Sequence, residues 1–148
     1  MPSKNTIGHI EIRAFAHATE DTDKVISAIR NTLPKDLSEN IIFKKTNLTG
    51  HHKNPITLIE TRFTDKNVLP TIVENIASNL NSLDKELLTK EIEDHLEKTN
   101  LYLRLDKQSA YLGEIKLATT DPIHFKIHFK AQNTDEIMEI CRKTGLLP

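Results

Sequence analysis

From Ile123 onward the chain alternates strictly: Ile123, Phe125, Ile127 and Phe129 are separated by His124, Lys126, His128 and Lys130. A strand points successive side chains to opposite faces, so the pattern predicts a strand over 122–131 with one apolar face and one nitrogen-bearing face. Residues 7–17 repeat the theme. Ile10, Ile12, Ala14 and Ala16 fall on one side, and His9, Glu11, Arg13, Phe15 and His17 on the other. Further strands are predicted near 40–46, over 56–63, at 100–106 and at about 112–119. The polar stretch LTGHHKNP, with Gly50 in it, reads as the loop of a hairpin joining 40–46 to 56–63.

Helical spacing fills the intervals. Thr19, Glu20, Asp21, Thr22 and Asp23 supply caps and first-turn acids for a helix whose stripe is Val25, Ile26, Ile29 and Leu33, ended by Pro34. Val68, Leu69, Ile72, Val73, Ile76 and Leu80 predict a helix over 65–80, with Pro70 early enough for a first turn to tolerate it. Leu87, Leu88, Ile92 and Leu96 predict another over roughly 83–97. A last helix is predicted over 134–143, with Thr134 as its N-cap and Gly145 as its stop. Strands and helices do not alternate one for one, and two hairpin-like pairs are present. The expected class is α+β: a single domain over residues 1–148, with a largely antiparallel sheet and helices packed on one face.

At 148 residues, 37% hydrophobic, the chain is long enough to bury a core, which its few aromatic residues make aliphatic. No apolar run approaches the ~20 residues needed to cross a bilayer. A single cysteine, Cys141, excludes an internal disulfide and fits a reducing cytoplasm; its setting, IMEICRK, reads as a buried helix face. The net charge of −1 argues against strong nonspecific attraction of the whole molecule to polyanions, but the charge is segregated. Residues 98–131 hold six cations against three acids, whereas residues 65–97 hold eight acids against three lysines. The strand regions are basic and the central helical region acidic.

Catalytic signatures are absent from the pattern. Four glycines form neither a P-loop nor a dinucleotide fingerprint, Ser109 lacks a nucleophile elbow, and Cys141 has no marked base. His51 and His52 have no accompanying ligand motif, and His124 and His128 lie about 13 Å apart along a strand, too far to share an ion. The chain is therefore expected to be neither an enzyme nor a metal or cofactor protein. What remains is an anion-binding chemistry. Gly50, His51, His52 and Lys53 in one loop suit a phosphate backbone, although a plain polar turn has the same composition. In YLRLDKQ, Arg104 and Lys107 suit phosphate and Gln108 a base or ribose, unless Arg104 simply pairs with Asp106. Lys126, His128 and Lys130 extend the basic face.

Four segments carry a resemblance. GHHKNPI at 50–56, YLRLDKQ at 102–108, DPIHFKIHFKA at 121–131 and HATED at 17–21 resemble, in order, the archaeal family of predicted RNA-binding, exosome-associated proteins. The family often has Tyr-Gly where this chain has His52-Lys53, a departure that keeps the loop polar and adds a cation. The resemblance implies a fold related to double-stranded RNA-binding domains and to a large-subunit ribosomal protein, a cytoplasmic role in RNA processing or degradation, and no catalytic residues. The expected ligand is structured RNA held by its backbone, since the few aromatic residues argue against stacking on unpaired bases. The other expectation is a protein-interaction module, a homodimer or an accessory subunit of an RNA-processing complex.

Overall fold

The structure, a computed structural model, describes residues 6–38, 41–49 and 54–148. Six antiparallel strands form one sheet: β1 (Ile7–Ala16), β2 (Lys44–Thr49), β3 (Pro55–Phe63), β4 (Leu96–Glu97), β5 (Asn100–Leu105) and β6 (Ile123–Phe129), in the order β2-β3-β1-β6-β5-β4. Helices α1 (Thr22–Asn31), α2 (Lys35–Ser38), α3 (Leu69–Asn79), α4 (Ser82–Lys90), α5 (Lys107–Tyr111) and α6 (Thr134–Thr144) complete the α+β domain. The helices cover one face, as the alternation required. Ile10, Ile12 and Ala14 of β1, Leu101, Leu103 and Leu105 of β5, and Ile123, Phe125, Ile127 and Phe129 of β6 are all buried. They pack with Val25 and Ile29 of α1, Ile72, Val73 and Ile76 of α3, and Ile137 and Cys141 of α6. No helix among the described residues is long and apolar enough to cross a membrane.

Local chemistry sets the ends of these elements. Asp21 caps α1 by accepting from the Asp23 N–H, and Asn81 caps α4 by accepting from the Asp84 N–H. The cap of α6 is Asn133, one residue before the expected Thr134. Asn133 Oδ1 accepts from the Glu136 N–H, and Glu136 returns a carboxylate oxygen to the Gln132 N–H. Gly145, at φ 90°, ends the helix in the left-handed region, with the Leu146 N–H donating to the Cys141 carbonyl.

Three elements differ from the sequence pattern. The helix expected over 83–97 ends at Lys90; residues 92–95 form a 3₁₀ turn, and Leu96–Glu97 pair with Asn100 and Leu101, so strand pairing replaces helical propagation. The strand expected over 112–119 is irregular. Asp84 of α4 takes the Leu117 N–H with its carboxylate, and only Lys116 and Ala118 bond across to Asp106 and Arg104. The strand expected at 40–46 runs instead over 44–49, so Leu48 and Thr49 belong to β2 and not to the hairpin loop.

Candidate nucleic-acid interface

The sheet face opposite the helices is built by register. Three rows of side chains run across it: His9, His128 and Asn100; then Arg62, Glu11, Lys126 and Tyr102; then Lys44, Glu60, Arg13, His124 and Arg104. Each row joins residues far apart in sequence because β1 lies between β3 and β6. Two carboxylates are already engaged. Arg13 donates to Glu60 at 3.0 Å, and Glu11 lies 3.8 Å from Arg62 and 3.7 Å from His9. Among the described residues, Arg104 and Lys126 have no ion-pair partner, so their positive charge is free for a ligand. Arg104 does not pair with Asp106, because Asp106 caps α5 and accepts from the Ser109 N–H and hydroxyl.

The histidines on this face are ordered by their neighbours. The His9 and His128 rings stack at a centroid distance of 4.8 Å and 18° between planes. Asn100 Oδ1 lies 2.9 Å from His128 Nδ1 and fixes that ring. Gly8 permits this packing, since a Cβ there would come within 2.7 Å of His128 Cδ2. Burial, followed by the charges of Arg62 and His128, holds the His9 imidazole below its usual value. For His124 the causes are burial and then the flanking Arg104 and Arg13, again downward. An approaching anion would offset that repulsion and favour the protonated ring.

At the outer edge of the face a cleft of about 410 Å³ opens between the 3₁₀ turn and β5. It is lined by Asp94, His95, Glu97, Tyr102, Arg104 and His124. The Tyr102 and His124 rings lie 5.4 Å apart, and the Tyr102 hydroxyl donates to Glu97. Burial, reinforced by that carboxylate, raises the Tyr102 phenol above its ordinary value.

Of the site residues expected from sequence, Arg104, Lys126 and His128 share this face. Lys130, one residue past β6, is exposed, and its backbone N–H donates to the Thr6 carbonyl. Gln108 lies elsewhere, on α5, in a groove shared with Lys24 and Tyr111. His51, His52 and Lys53 lie outside the described residues. Lys107 is not a surface cation: it is 7% exposed, and its ammonium donates to the Phe15 carbonyl at 2.8 Å and to Glu20 at 3.0 Å, and lies 2.8 Å from Asp121. His17 completes this cluster, 3.1 Å from Asp121. Burial pushes the Asp121 carboxyl up, but Lys107 and His17 outweigh it and hold it below the usual carboxylate value. The ligand atoms of His17, Glu20 and Asp121 lie within 4.8 Å of one another, and the Lys107 ammonium supplies the cation between the two carboxylates. Arg13, Arg62, Lys44 and the ring pairs were not singled out from sequence. The alternation of 7–17 put Arg13 and His9 on the polar side, and only the strand order brings the others to them.

The sequence pattern of a family described as RNA binding matches residues 9–129. The chain belongs to this RNA-binding family. It is 34% identical over 134 residues to a Pyrococcus abyssi protein named as an RNA-binding protein, covering 88% of this chain and 87% of that one. The fold of this chain is similar to solved structures. A protein from Archaeoglobus fulgidus superposes with a TM-score of 0.80 at 27% identity, covering 93% of this chain and 99% of that one. A protein from Methanothermobacter thermautotrophicus gives 0.75 at 28%, covering 96% and 98%. Both are described as DUF54 proteins.

Proposed function

We propose that this protein binds RNA without catalysis, using the open sheet face as its contact surface. The observation that carries the proposal is the bare face itself, with Arg104 and Lys126 unpaired among the described residues and five strands aligning their polar groups. Membership of the RNA-binding family and the name of the Pyrococcus abyssi relative support the ligand. Phosphate contacts from Arg104, Lys126, His128 and Lys130 would position the chain on the backbone. Lys107 is withdrawn from the proposed contacts, because releasing its ammonium would strand two carboxylates. The noncatalytic reading rests on the two nucleophile candidates. The Cys141 thiol is buried and pushed up to about 12, and the Ser109 hydroxyl donates to a capping carboxylate. The resemblance to exosome-associated proteins supports an accessory role beside an RNA-processing complex.

The test is RNA binding over a salt series with wild type, Lys126→Glu and Arg104→Ala. Affinity should fall steeply with salt, and each lost phosphate contact should reduce the slope of log K on log salt by about 1. Salt-independent binding, or variants indistinguishable from wild type, would remove the face from the account.

A protein partner is the second reading. Leu83 and Leu87 of α4, 75% and 44% exposed, line an apolar groove with Gly145 and Pro148. Sedimentation velocity of wild type and Leu83→Glu over a concentration range tests self-association through it; a constant monomer would exclude the dimer.

A further inference from the structure

We infer that the cleft between the 3₁₀ turn and β5 takes a single unpaired nucleobase, so that the RNA held by the open face is single-stranded at this edge. The inference rests on the proposed RNA contact and specifies which form of RNA the face accepts. It differs from the expectation of backbone-held structured RNA, which followed from the low aromatic content of the whole chain. Among the described residues the fold gathers ring-bearing side chains on the face that the helices leave uncovered: His9, His124 and His128 together with Tyr102 and the partly exposed Phe15. A small number of rings suffices when strand register places them together.

The cleft has the three chemistries that recognise one nucleotide. Tyr102 and His124, with rings 5.4 Å apart and 31° between planes, offer an aromatic surface for a base. Arg104 lies in the same cleft, with Arg13 beside His124 in the same row and Lys126 in the next, and these supply the positive charge for the phosphate. Asp94 and Glu97 form the opposite lip and have only acceptor oxygens to offer when ionised. Carboxylates near a polyanion are repulsive unless they meet donor groups, and the Watson–Crick edge of guanine presents an N–H and an adjacent amino group to such acceptors. Uracil presents one N–H between two carbonyls and suits the lip less well. The volume of about 410 Å³ holds a nucleotide, whereas the bases of an A-form duplex are paired and stacked away from any such cleft.

The floor of the cleft is preorganised. Glu97 holds the Tyr102 hydroxyl at 3.2 Å, and His95 Nδ1 lies 3.1 Å from the Tyr102 carbonyl while its other nitrogen lies 3.9 Å from Glu91. These contacts fix the tyrosine before a ligand arrives, which lowers the ordering cost of binding.

The experiment is fluorescence anisotropy at low salt with three labelled probes: a short oligouridine, the same strand with one central guanosine, and a blunt duplex of equal length. Wild type, Tyr102→Leu, Tyr102→Phe, Glu97→Gln and Lys126→Glu are compared. The guanosine strand should bind more tightly than oligouridine, and both more tightly than the duplex. Tyr102→Leu should weaken single-strand binding roughly 5- to 100-fold while Tyr102→Phe retains most of it, as base stacking on an aromatic ring requires. Glu97→Gln should erase the advantage of guanosine and leave oligouridine binding nearly unchanged. If Tyr102→Leu fails to fold, the ratio between the two strands in Glu97→Gln carries the test. Equal affinity for duplex and single strands, with Tyr102→Leu like wild type and Lys126→Glu still weakened, would overturn the base site and leave the RNA face standing. Failure of all three probes to bind wild type would overturn both.

Discussion

Replacing Lys107 with methionine tests the buried charge cluster that ties β1, the turn before α1, α5 and the turn before β6 together. The ammonium has three oxygen partners, the Phe15 carbonyl at 2.8 Å, Glu20 at 3.0 Å and Asp121 at 2.8 Å, and the lysine side chain is only 8% exposed. Breaking a fully buried pair by removing one partner costs about 3–5 kcal/mol, and an exposed pair about 0–1. This cluster falls between, because Glu20 and Asp121 are 31% and 42% exposed and can rehydrate once the lysine is gone. Methionine fills the space of the stem and carries no desolvation cost. The expected loss is about 2 kcal/mol at neutral pH, or roughly 4–8 °C in Tm for a domain of this size. Urea denaturation of wild type and variant measures it. The pH dependence is a second constraint. Asp121 is held below its usual 3.8, so its contribution is complete above that value and is lost as pH falls through the lower, folded-state value. The gap between wild type and Lys107→Met should therefore be constant at mildly acidic and neutral pH and narrow below about pH 4. A gap under about 0.5 kcal/mol at neutral pH, or one that persists undiminished in acid, would refute the claim that this lysine is structural.

Two further outcomes are expected. Gly8→Ala should cost about 1–3 kcal/mol and unstack His9 from His128, because the added methyl would lie 2.7 Å from a ring already held by Asn100; histidine NMR shifts identical to wild type would contradict this. Cys141, with its thiol near 12 and its side chain in the core, should react with a thiol reagent at pH 8 only as fast as the protein unfolds, and rapid labelling of the native state would show that α6 opens locally.

Period-2 alternation made β1, β6 and the polarity of their faces legible, since a one-residue slip would expose Ile10, Ile12, Phe125 and Ile127. The amphipathic spacing of α1, α3 and α6 was equally plain. The stretch after Lys90 misled because Ile92 and Leu96 continue a helical stripe, and only pairing with β5 turns the chain out of the helix. Lys107 misled for a different reason. A lysine after a strand looks solvated, and the partner that buries it, Glu20, lies 87 residues away. The face itself was half visible. Lys126 and His128 could be placed on it, but Arg13 and Arg62 join them only through the order β3-β1-β6, which no local pattern encodes.

The two ends of the sheet bear on how the protein behaves at high concentration. One border is β4, just two residues long; the other is β2, a polar strand exposed at most positions, with Lys44 and Lys45 at its start. A neighbouring chain seeking backbone partners finds too short a template at the first border and charged side chains to desolvate at the second. The sheet is thus self-limiting. A broad uncovered surface can face solvent without inviting ribbon growth, and crowding should leave it open to its ligand.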